Sequence, residues 1–84
     1  MKVFNIMENR QVNTIAFDII NNWKKPYFGA IPYLEVMTHL HTVNDMYMYD
    51  SGKSIVQYFL ANAGTFRGED AKRLKLELKQ LLKD

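Results

Sequence analysis

A chain of 84 residues suffices for one hydrophobic core and excludes a second, because a protein this short buries only about 60 to 65% of the surface its unfolded form exposes. An apolar fraction of 48% with 13% aromatic residues excludes disorder, and the lack of cysteine excludes disulfides and thiolate metal sites, which fits a reducing, cytoplasmic setting. Eleven Lys and Arg against nine Asp and Glu give +2 at neutral pH, too little as a whole-chain figure to mark a nucleic-acid binder.

In chain order, residues 2–7 carry Val3, Phe4, Ile6 and Met7 and read as a short edge strand or an apolar arm packed on the core. Glu8 and Asn9 follow before a signal-peptide core can form, which speaks against export by that route. A first helix is expected from Asn9 or Val12 to Lys24. Val12, Ile15, Ala16, Ile19, Ile20 and Trp23 fall on one face, Phe17 lies outside its centre, and Asn9 is the expected cap. Lys24-Lys25-Pro26 reads as a stop and Pro26-Tyr27-Phe28-Gly29 as a turn.

Pro32 suits the first turn of a second helix, expected to reach about Val43 with Tyr33, Val36, Met37 and Leu40 as its stripe. The stretch from Asn44 to Asp50, with Met46, Tyr47, Met48 and Tyr49, is open between a helix extension, an aromatic loop and a strand beside residues 3–6. Asp50-Ser51-Gly52 can cap a third helix running to about Ala63, closed by Gly64. Ile55, Val56, Phe59 and Ala63 share its face, flanked by Tyr58. Thr65 is the expected cap of a fourth helix, with Glu69 and Asp70 in its first turn and Ala71, Leu74, Leu78, Leu81 and Leu82 as its stripe. No apolar run approaches the ~20 residues of a membrane span. The expected fold is mainly α, a compact four-helix bundle or orthogonal array in one domain over residues 1–84.

The residues that carry chemistry form no constellation. His39 and His41 are the only histidines, and on a helix their spacing turns them apart. Neither Ser51 nor Ser54 lies in a nucleophile elbow. Glu69 and Asp70 are explained by a helix N-terminus, and Gly64-Thr65-Phe66-Arg67-Gly68 lacks the lysine and hydroxyl ending of a phosphate loop. The expectation is a protein without catalytic residue, cofactor or metal.

One polar pattern remains. Lys72, Lys75, Lys79 and Lys83 recur at spacings of three and four, forming a basic row away from the leucine stripe, with Leu76 at its edge. Residues 67–84 hold six basic residues against four acids, while residues 1–66 balance. The row is either a solvated face, supported by Glu69–Arg73 and Asp70–Arg73 pairing, or a surface for phosphate or an acidic protein. Leu76 is a singly exposed leucine or marks a homodimer contact. Tyr47 and Tyr49 cover one end of the core or act as rigid contact anchors, together with Arg67 and Trp23.

With Trp23, Tyr27-Phe28-Gly29-Ala30-Ile31-Pro32-Tyr33-Leu34, Ile55-Val56-Gln57-Tyr58-Phe59-Leu60-Ala61-Asn62-Ala63 and Thr65-Phe66-Arg67-Gly68 in view, the chain resembles the small uncharacterised helical proteins carried by phages and plasmids of Gram-positive bacteria. That resemblance covers most of the chain and implies a cytoplasmic accessory or regulatory protein, with no residue role to transfer. The residues themselves lead to a non-enzymatic interaction module that binds another protein or a second copy of itself. The alternative is sequence-nonspecific nucleic-acid binding through the lysine row, which lacks the Asn, Gln and Ser that read base edges. No membrane partner is expected.

Overall fold

Val12, Ile15, Ala16 and Ile19 recur at helical spacing, and all four are fully buried along the first helix, α1 (Val12–Asn22). The computed structural model describes residues 9–83, so the expectation for residues 2–7 lies outside the described residues. The expected Asn9 cap is not used. Gln11 occupies the capping position without a side-chain bond, and the first amides are satisfied from elsewhere in the chain: Val12 N–H donates to the His41 carbonyl at 3.0 Å and Asn13 N–H to that of Leu40 at 2.9 Å. Backbone carbonyls thus replace the usual hydroxyl or carboxylate. The helix also stops before Lys24. Trp23 is already extended, which turns its ring into the core against Phe59 and Phe66.

The second helix, α2 (Ile31–Met37), starts with Pro32 in its first turn as expected but ends well before Val43. The Thr38 hydroxyl donates to the Glu35 carbonyl at 2.6 Å. His39 and Leu40 then donate to Val36 and Met37 at 2.9 and 3.2 Å, tightening the last turn from i−4 to i−3 bonding. Leu40 and Val43 still reach the core from the loop that follows. That loop is organised by Asp45, whose carboxylate accepts from the amides of His41 (2.8 Å) and Thr42 (3.3 Å) and from the Thr42 hydroxyl (3.2 Å).

Residues 46–51 form a hairpin in which β1 (Met46–Tyr47) pairs antiparallel with β2 (Asp50–Ser51), Met46 opposite Ser51 and Tyr47 opposite Asp50. This settles the stretch that the sequence left open. The partner is the segment just downstream, joined by a two-residue turn of Met48 and Tyr49. Met48 takes a positive φ of 58°, which hairpin turns require and which glycine or asparagine usually supplies.

The third helix, α3 (Gly52–Ala61), begins on Ser51, whose hydroxyl accepts from the Ser54 amide at 3.1 Å. Its end departs from expectation: Asn62 is the C-cap, its side-chain amide donating to the Tyr58 carbonyl at 2.8 Å. Gly64 is not left-handed. The glycine at positive φ is Gly68, at 112°, immediately before the fourth helix, α4 (Glu69–Lys83). The Gly68 carbonyl accepts from Lys72 at 2.9 Å, so that helix starts later than a Thr65 cap would place it. Ala71, Leu74 and Leu78 are buried, with Leu81 and Leu82 packed on the same core. Full burial of Leu74 and Leu78 is worth roughly 2 to 3 kcal/mol each.

Pairing of α1 with α4 and of α2 with α3 closes these stripes over one apolar cluster. With a radius of gyration of 12.4 Å the molecule is mainly helical and compact, and no helix among the described residues is long and apolar enough to cross a membrane. Contact of Trp23 with Phe66 at one end and of Arg10 with Glu77 towards the other sets α1 antiparallel to α4.

Candidate interaction surfaces

Charge on α4 separates into two flanks. On one, the Arg10 guanidinium grips Glu77 with two parallel bonds of 2.8 Å and reaches Asp18 at 2.8 Å. Arg73 joins Asp70 at 3.2 Å and Glu77 at 3.5 Å. The expected Glu69–Arg73 pair is replaced by this Arg73–Glu77 contact. Hydrogen bonding to Glu77, ahead of that to Asp18, holds the Arg10 guanidinium above its ordinary pKa.

The other flank carries Lys72, Lys75, Lys79 and Lys83, and among the described residues none of them makes an ion pair. The Lys75 ammonium lies 5.8 Å from the centre of the Phe66 ring. Burial, then the charges of Lys79 and Arg67, hold it below its ordinary value. Phe66 is stacked on Trp23 with ring centres 5.0 Å apart. Through that stack the end of α1 meets the loop before α4, and Trp23, Lys24, Lys25, Thr65, Phe66 and Arg67 line one shallow depression. Arg67 itself donates from Nε to the Gly64 carbonyl at 3.2 Å. Trp23 is 6% exposed, its ring packed into the core.

An apolar groove of about 430 Å³ runs between the outer flanks of α1 and α2, lined by Phe17, Ile20, Pro26, Ile31, Leu34, Glu35 and Thr38. Glu35 is the one charged residue in it. Phe17 is 54% exposed, and Phe28, in the turn that continues from Pro26, is 76% exposed. Phe17, Ile20 and Ile31 together leave roughly 250 Å² of apolar surface open around this groove. Ile20, expected on the core face of α1, is instead 44% exposed. A usable signal was Phe17, which stands off the centre of the α1 stripe.

The remaining candidates stay apart. Tyr47 stacks on His39 with centres 6.4 Å apart, while Tyr49 at the hairpin tip is 97% exposed. Leu76 is 65% exposed beside the lysines. His41 lies in the Asp45 loop, 3.7 Å from that carboxylate, and no cluster of three or more metal-ligating side chains occurs among the described residues. In comparisons with known proteins the chain matches no family model, no curated protein and no solved structure.

Proposed function

We propose that this chain is a non-enzymatic binding protein, folded as a small helical array, whose contact with a protein partner runs through the groove between α1 and α2. The observation that supports this most is the exposure of Phe17, Ile20 and Ile31 around a groove between two helices whose other large apolar side chains pack on the core. Water-facing aromatics cost solubility, and covering them supplies the apolar centre from which interfaces draw their affinity. Partners of this kind include a second copy of the chain, because a groove with a single carboxylate offers little charge repulsion to its own copy.

The reading is tested with a Phe17→Ser, Phe28→Ser variant. Sedimentation of wild type and variant from micromolar to near-millimolar concentration measures self-association, and quantitative capture from host extract measures heterologous binding. Loss of either association in the variant, with its melting temperature kept within a few degrees, supports the groove. Association that is indifferent to both substitutions contradicts it.

A further inference from the structure

We propose that the lysine flank of α4, extended by Arg67 and by Lys24 and Lys25, is a binding surface for the phosphate backbone of duplex nucleic acid. This surface is separate from the α1–α2 groove and does not depend on the protein-binding reading. Three segments distant in sequence build it. Trp23 enters the core and stacks on Phe66, which brings Lys24 and Lys25 to the rim of the depression that also holds Arg67. Lys75 lies over the same Phe66 ring, and α4 carries the row onward to Lys83.

Its charge is unbalanced by construction. On the opposite flank Glu77 pairs with Arg10 and Arg73, and Asp70 with Arg73, whereas the positive charges of Lys79 and Arg67 both bear on Lys75. Like charges left adjacent destabilise the free protein and are relieved by a polyanion. Lys72 to Lys83 spans about 16 Å of helix axis, which on a duplex corresponds to roughly five phosphates of one strand.

The kind of polyanion follows from what else the surface offers. Trp23 and Phe66, the two rings of the depression itself, are both buried and cannot stack an unpaired base, which favours backbone contact with a duplex. Leu76 is the one exposed apolar side chain along the lysine row, too little for the apolar centre of a protein interface or for insertion at a membrane surface. Lysines without amide side chains beside them contact phosphates but read no base edges.

Fluorescence anisotropy with a labelled duplex of about 25 base pairs and arbitrary sequence tests the proposal on the full chain. One phosphate for each of the seven cations predicts a slope of up to about −6 for log affinity against log salt, a loss of up to about 4,000-fold between 50 and 200 mM. Lys24→Gln with Lys25→Gln should flatten the slope by about 2, as should Lys75→Gln with Lys79→Gln, while Lys53→Gln on α3 leaves it unchanged. Circular dichroism confirms that each variant is folded. The proposal is overturned by an absence of duplex binding at low salt, or by a slope that ignores Lys24 and Lys25. It is equally overturned by tighter binding to polyglutamate, or to phosphatidylglycerol vesicles, than to the duplex.

Discussion

Replacing Gly52 by alanine probes a close backbone approach between the start of α3 and the loop before the hairpin. A Cβ at this position would stand 2.9 Å from the Thr42 carbonyl oxygen and 3.0 Å from both Cα and oxygen of Val43. These are backbone atoms held in place by the bonds from Gly52 N–H to Asp45 (2.7 Å) and from Lys53 N–H to Val43 (2.8 Å). The loop must therefore retreat by a few tenths of an ångström and loosen both bonds, a strain of about 1 to 3 kcal/mol. Alanine regains up to about 1 kcal/mol of helix propensity, less in a first turn. The net loss of about 1 to 2 kcal/mol lowers the melting temperature by roughly 5 to 15 °C for a domain this size. Thermal unfolding followed by far-ultraviolet circular dichroism reads it directly. Gly64→Ala is the control, because an added Cβ there meets nothing within 4 Å, and it should be neutral or slightly stabilising. A Gly52→Ala protein that melts at or above wild type, or a Gly64→Ala protein that loses as much, refutes the reasoning.

Met48→Gly should stabilise the protein by about 0.5 to 1 kcal/mol, since it relieves a non-glycine residue at φ 58°; a lower urea midpoint would contradict the strained turn. A double-mutant cycle on Arg10→Ala and Glu77→Ala should give a coupling of about 1 kcal/mol that shrinks at high salt, modest because both side chains remain partly in water. Amide hydrogen bonds from His41 and then Thr42 hold the Asp45 carboxylate below its ordinary value of 3.8. A depressed folded-state value means that its stabilisation is complete above 3.8 and is lost as pH falls through the lower folded value. Asp45→Ala should accordingly flatten the acid limb of the stability profile without changing its shape near neutrality, as measured by urea midpoints across pH.

The leucine row of α4 and the apolar face of α1 were legible because period alone selects the side that is buried. What period does not carry is the extent of the neighbour. Ile20 belongs to the α1 stripe by angle, yet α2 has only seven residues and does not close over it, so the groove arose where the sequence suggested core. Caps were misread where the chain used distant partners. Nothing near Val12 in sequence announces that Leu40 and His41 will accept its first amides, and Thr65 and Gly64 have the right chemistry one turn too early for α4 and slightly too late for α3. The lysine row was visible as spacing. That Lys24 and Lys25 lie beside Arg67 depends on Trp23 leaving the helix to stack on Phe66, a tertiary event with no local signature.

Incorporation of a photo-reactive benzophenone amino acid, one position at a time, at Phe17, Phe28, Tyr49 and Leu76 in cells maps which of these exposed side chains touches another protein. Adducts concentrated at positions 17 and 28 are the expected result. Adducts confined to 49 or 76, or equal at all four positions, would contradict a partner seated in the groove between α1 and α2.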